Sequence, residues 1–189
     1  MAARPDTPPR ADAQRNRRRL IEVAQRAFTT GDGKVSLEAV AKQAGVGIGT
    51  LYRHFPTREA LVEAVYLAER ARLCEAADEL LAEQPPERAL RVWMDRFADY
   101  IATKREMADA LRALIADGTV TRSQARQELS VAVRRLLDAG AAAGTVRGDV
   151  AAEDVVVALV GVFSVCTLPE QREQAGRLLD LLMAGLLRG

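Results

Sequence analysis

An all-α fold is what this chain predicts, on three observations. Apolar residues recur at helical spacing through most of the 189 residues. Alanine, leucine and arginine dominate, and β-branched runs are nearly absent outside 155 to 162. Glycine and proline gather where the periodicity breaks, as at Gly45, Gly118, Gly144 and Pro85-Pro86. Counted between those breaks, the pattern gives about nine helices.

Residues 1 to 12, MAARPDTPPRAD, hold three prolines and no periodicity, and are expected to form a disordered arm. Arg4 and Arg10 there either touch phosphate or the minor groove or, on the plainer reading, do nothing specific. A first helix is expected from Ala13 to Thr29, with Leu20, Ala24, Ala27 and Phe28 on one face. Arg15, Arg17, Arg18 and Arg19 crowd its start. A helix dipole prefers anions at that end, so the cluster points to a nearby phosphate backbone rather than to helix stability. Gly31 and Gly33 close the helix, and Asp32-Gly33-Lys34 makes a turn toward Ser36.

The next stretch, SLEAVAKQAGVGIGTLYRHF, reads as two short helices joined by a tight turn. Leu37, Val40, Ala41 and Ala44 form the apolar stripe of the first, with Ser36 as its N-cap. Gly45 can take the left-handed conformation that ends a helix. Ile48, Leu51 and Phe55 then share one face, which leaves Gly49, Thr50, Arg53 and His54 outward and Tyr52 on the flank. Nothing outward is acidic. A helix of about seven residues is roughly 10 Å long, suited to the DNA major groove. The arrangement is a helix-turn-helix with its second helix offered for reading. Two alternatives share the residues. Gly45, Gly47 and Gly49 alternate as in a phosphate-cradling nucleotide loop, but that fingerprint must follow a strand. The plainer alternative is a helical hairpin of some larger core.

At these residues AVAKQAGVGIGTLYRHFPTREAL resembles the DNA-binding motif of the TetR family of bacterial transcription regulators. The resemblance implies an all-helical dimer, with an N-terminal three-helix DNA-binding domain and a larger helical domain for a small ligand and the second subunit. Carried over by position, it places DNA contacts at Gly49, Thr50, Tyr52, Arg53 and His54, with Arg58 at the start of the next helix, and Ser36 is a further DNA-contact candidate. One departure stands out. Val46, Gly47 and Ile48 occupy positions where many members have Ser and Lys, so polar phosphate contacts there must come from backbone amides or neighbours. The expected domains are therefore 13 to 56 for DNA and 57 to 189 for ligand and dimerisation.

Beyond Pro56, Thr57 can cap a helix that starts at Arg58 and carries Leu61, Val65, Ala68, Leu73, Ala76, Ala77 and Leu80 to about Ala82. Pro86 to Thr103 follows, with Leu90, Trp93, Met94, Phe97, Tyr100 and Ile101 inward. Helix core and pocket wall weigh evenly there, since ligand sites are mainly apolar and aromatic. The effector-binding candidates are Tyr66, Trp93, Phe97, Tyr100, Met107, Phe163 and Cys166. FADYIATKREMADAL resembles an actinobacterial branch of the family. Further helices are expected at about Met107 to Asp117 and Arg122 to Ala143, then at 152 to 165 and Glu170 to Leu187. VVVALVGVFSV is apolar on every side and must be buried all round. A second subunit is the natural cover, with Val156, Val157, Val160, Leu178, Leu182 and Leu186 at a four-helix contact.

Charge supports the assignment. Residues 1 to 58 carry eleven Lys/Arg and five Asp/Glu, and residues 59 to 189 carry sixteen and twenty-one. A basic front and an acidic back would orient the chain toward a polyanion. The only histidine is His54, the two cysteines are far apart, and no hydrolase motif is present, so catalysis, a metal and a cofactor are not expected. No apolar run is long enough for a bilayer, and a cytoplasmic location is expected. The function expected is a homodimeric regulator of a pseudo-palindromic double-stranded DNA operator, released by a small apolar or aromatic effector. The alternative is a helical ligand-binding or scaffold protein whose helix-turn-helix no longer binds DNA.

Overall fold

The computed structural model describes residues 9–30 and 35–188. Among these residues the helices are α1 (Pro9–Thr30), α2 (Leu37–Ala44), α3 (Ile48–His54), α4 (Arg58–Glu83), α5 (Pro86–Glu106), α6 (Ala108–Ala116), α7 (Arg122–Ala142), α8 (Ala152–Val165) and α9 (Arg172–Leu186). A 3-10 turn at Pro169–Gln171 leads into α9. The described residues contain no strand, only one antiparallel bridge between Val146 and Leu187.

Helix α1 starts earlier than expected. Residues 9 to 12 of the anticipated arm are helical, because proline is tolerated in a first turn, where its missing N–H would be unbonded anyway. Residues 1 to 8 of that arm, and the turn expected at 31 to 34, lie outside the described residues. The early start also removes the dipole argument for the arginine cluster. Arg15, Arg17, Arg18 and Arg19 sit in the second and third turns of α1, past the end where the dipole acts.

The chain forms two compact units. The first takes the described residues up to Ala68 together with Thr103–Val120, so the start of α4 and all of α6 group with the N-terminal helices rather than with the domain expected from residue 57. Its core joins Leu20, Val23 and Phe28 of α1 to Val40 and Ala44 of α2, Leu51 of α3, and Leu61, Val62 and Val65 of α4. Helices α1, α2 and α3 all touch one another.

The second unit takes Glu69–Ala102 and the described residues from Thr121 on. Helix α7 packs on α8, and α8 on α9. Trp93 is fully buried, and its indole N–H donates to the Leu73 carbonyl at 2.8 Å, satisfying a polar atom that would be costly to bury alone. Arg70 is also buried and pairs with Glu128 at 2.7 Å, which ties α4 to α7. Gly140 of α7 lies so close to Val146 that a Cβ would fall 2.5 Å from Val146 Cγ2. A larger residue there would have to displace Val146, which pairs with Leu187 just after α9.

Candidate nucleic-acid interface

The interface is built from turn chemistry. Ser36 Oγ accepts the Ala39 N–H at 3.2 Å and so caps α2. Its hydroxyl donates to Glu38 at 2.9 Å. The Glu38 carboxyl is held below its ordinary range, first by its own backbone N–H and then by Ser36. At the other end Gly45 has φ +66°, with its N–H on the Lys42 carbonyl at 3.1 Å and the Val46 N–H on Ala41 at 3.0 Å. This is the Schellman closure, which satisfies carbonyls that a helix end leaves open. The chain turns through Gly47 straight into α3, whose first bonds return to the Gly47 carbonyl from Thr50 at 2.9 Å and Leu51 at 3.2 Å.

Helix α3 is held by two anchors, Leu51 and Phe55, both essentially inaccessible. Pro56 follows, and Thr57 Oγ1 caps α4 by accepting the Ala60 N–H at 3.1 Å. Of the residues expected at DNA, Ser36, Gly49, Tyr52 and Arg53 are exposed, and Thr50, His54 and Arg58 are partly exposed. Arg53 folds back along its own helix: Nε donates to the Gly49 carbonyl at 3.2 Å and Nη2 to Thr50 Oγ1 at 3.0 Å. Two of its five N–H groups are thereby committed to orienting the guanidinium. Ile48 departs from expectation. It is 39% exposed rather than a third anchor. A helical Cβ tilts toward the N-terminus, so the first residue of a two-turn helix overhangs the packed stripe.

Of the α1 cluster, Arg15, Arg17 and Arg19 have neighbours inside the unit. Arg15 pairs with Asp12. The Arg17 guanidinium carbon lies 5.2 Å over the centre of the Phe55 ring. Arg19 Nη2 stands 3.5 Å from where a Cβ would be on Gly45, against the end of α2, where a cation meets the negative pole of the helix. Arg15–Asp12 is an i,i+3 pair within α1, but sequence spacing gave no signal for the Arg17 and Arg19 contacts, because they cross between helices.

Comparison with known proteins agrees with this geometry. Residues 20–65 match the family of bacterial regulatory proteins called tetR, and residues 85–188 match the SbtR-like transcriptional regulator C-terminal domain. A TetR transcriptional regulator from Streptomyces coelicolor is 48% identical with a TM-score of 0.82, over 90% of this chain and 98% of that one. The chain belongs to the TetR family. A TetR regulatory protein from Mycobacterium vanbaalenii, 35% identical, superposes with a TM-score of 0.74 over 96% of this chain and 100% of its own. HTH-type transcriptional regulators of Staphylococcus aureus are 43% identical over 53 residues, which is 28% of this chain and 29% of theirs.

In this TetR-family chain the expected effector residues divide between the units. Trp93, Phe97, Tyr100, Phe163 and Cys166 lie in the second, all buried. Phe97 is their centre, with ring centroids of Trp93, Tyr100 and Phe163 at 5.8, 6.0 and 6.0 Å. Tyr66 and Met107 are buried in the first unit. Sequence reasoning passed over Ser130, which falls on the α7 stripe with Val133 and Leu137. Its hydroxyl is buried and makes no hydrogen bond.

The dimer candidates divide too. Val156 and Leu186 are only 1% and 4% exposed, and belong to their own subunit's core. Val157 and Val160 are exposed, and Leu178 and Leu182 are partly so. Helix α8 is therefore not buried all round within the chain. The most open apolar side chains near it are Val165 at 73% and Leu181 at 70%. Among the described residues no helix is long and apolar enough to cross a membrane.

Proposed function

We propose that the chain is a cytoplasmic, homodimeric repressor that binds a pseudo-palindromic DNA operator through α3 and is released by a small apolar or aromatic effector. The observation that carries the DNA part is the outer face of α3. Leu51 and Phe55 fix the helix, while Gly49, Thr50, Tyr52, Arg53 and His54 are presented without a single carboxylate from residue 48 to 54. Two such helices, one per subunit, read half-sites about one helical turn apart or a multiple of it. TetR regulators bind operator DNA, form dimers and bind small effectors, which supports the same reading.

Random-sequence duplex selection with the full chain tests the proposal. A pseudo-palindrome should emerge, with affinity falling steeply as salt rises through counterion release. No enrichment would favour a helical ligand-binding protein that has lost DNA affinity.

The effector part rests on the aromatic cluster around Phe97 and on the Ser130 hydroxyl in the same unit. A buried hydroxyl without a partner costs roughly 1–3 kcal/mol, a cost that a polar atom on a ligand would remove. Helix α4 contributes to both units and is the proposed transmitter. A ligand acts only through its differential affinity for the two conformations. A 100-fold change in operator affinity needs a difference of about 2.7 kcal/mol. By reciprocity the operator must weaken effector binding by the same factor. Calorimetric titration of a bound effector with and without operator checks this, and equal affinities would end the allosteric reading.

A further inference from the structure

We propose that Ile48 reads the 5-methyl group of a thymine and thereby sets one position of each operator half-site. The inference rests on the DNA-binding function proposed above. Ile48 is the first residue of α3 and is 39% exposed. Its side chain can donate or accept no hydrogen bond, so neither phosphate nor any polar base edge is a partner for that side chain. The glycines on either side, Gly47 and Gly49, are exposed, and nothing lies within 4 Å of where their Cβ atoms would be. Neither flanking residue has a side chain that could shield Ile48 or supply a polar group in its place. Polar reach begins at Thr50 and Arg53, whose side chains are bonded to each other at 3.0 Å. The leading edge of the helix is thus aliphatic and the rest of its face polar.

In the major groove the thymine methyl is the aliphatic group that bases present, and apolar side chains recognise it. The N-terminal residues of a recognition helix are those that meet base edges. Basic Arg53 on the same helix draws it to DNA without marking a sequence at this position; the isoleucine supplies the mark. Isolated exposed apolar residues are ordinary on protein surfaces, so the distinguishing measurement must isolate one methyl group.

Uracil in place of thymine does so. With the selected operator, each thymine is replaced singly by deoxyuridine, in one half-site and then in both, and affinity is measured for the full-length wild type, Ile48→Ala and Ile48→Val. At one thymine per half-site, loss of the methyl should weaken wild-type binding about fourfold, and about 15-fold when both half-sites are changed. Ile48→Val should keep most of that penalty and Ile48→Ala should lose it, while Leu51 and Phe55 still hold the helix. Wild-type indifference to uracil at every position would overturn the inference. An equal penalty in Ile48→Ala would also overturn it and assign the methyl to Thr50 or Tyr52. Failure to enrich any operator would remove the DNA-binding proposal itself, and this inference with it.

Discussion

Two patches of apolar side chain stand in solvent, and they differ in what surrounds them. On α3, Ile48 and Tyr52 are 39% and 45% exposed beside Arg53 and His54, with no acid in the helix. On α8 and α9, Val157, Val160, Val165 and Leu181 form a wider set, exposed from 41% to 73%, beside charges of both signs at Glu173, Arg177 and Asp180. Apolar side chains exposed in unlike surroundings thus suit unlike partners. A small aliphatic spot among cations suits a polyanion that carries methyl groups. A wide apolar face with charges of both signs suits a second copy of the same chain, because an isologous contact must complement itself.

The comparison breaks most visibly if the wide face is charged. Val157→Asp or Leu181→Asp should give monomers in sedimentation, with operator affinity reduced 100-fold or more, since a lone subunit loses the avidity of two half-sites. Val156→Ala, one residue away on the inward side, should instead cost about 2 kcal/mol of stability and leave assembly intact. A dimeric Leu181→Asp protein with normal operator affinity would place the subunit contact elsewhere.

On the narrow face the largest loss should come from Arg53→Ala, roughly 1–3 kcal/mol of operator affinity if the guanidinium reads guanine. The sharpening measurement is base-by-base competition. A guanine reader loses discrimination at one position per half-site, whereas a loss spread evenly over all operator variants makes Arg53 a phosphate contact. Its bonds to Gly49 and Thr50 favour the first outcome, because they fix where the remaining N–H groups point.

Helix ends were the most legible feature of the chain, because their chemistry is local. Ser36 and Thr57 cap the helices they precede, and Gly45, Gly118 and Gly144 take positive φ where the periodicity breaks. Periodicity was less informative wherever it saturated. VVVALVGVFSV offers an apolar residue to every direction, so it does not say that Val156 turns inward and Val157 outward. Two turns of α3 were too short to show that Ile48 overhangs its stripe. The aromatic positions were placed inward correctly, yet ring-on-ring packing around Phe97 is what both a core and a closed ligand site would show. Least legible were contacts between helices. The α1 arginines read as a phosphate patch, yet Arg17 and Arg19 meet Phe55 and the end of α2 within their own unit.

Arg17 offers the finest separation of holding the α3 surface from contacting DNA. Its guanidinium lies 5.2 Å over the Phe55 ring, and Phe55 is the residue that closes α3. A cation over an aromatic face contributes about 0.5–1 kcal/mol at exposed sites. Arginine suits such stacking because its charge is planar and weakly hydrated, while lysine supplies a compact point charge. If Arg17 steadies Phe55, Arg17→Lys should weaken operator binding nearly as much as Arg17→Ala, with the slope of log affinity against log salt unchanged. If Arg17 contacts phosphate, Arg17→Lys should retain affinity, and Arg17→Ala should flatten the slope by about one unit per lost contact, hence about two for a dimer. Salt titration of the two variants beside wild type decides between them, and a flattened slope with lysine rescue would return Arg17 to the DNA-contacting set.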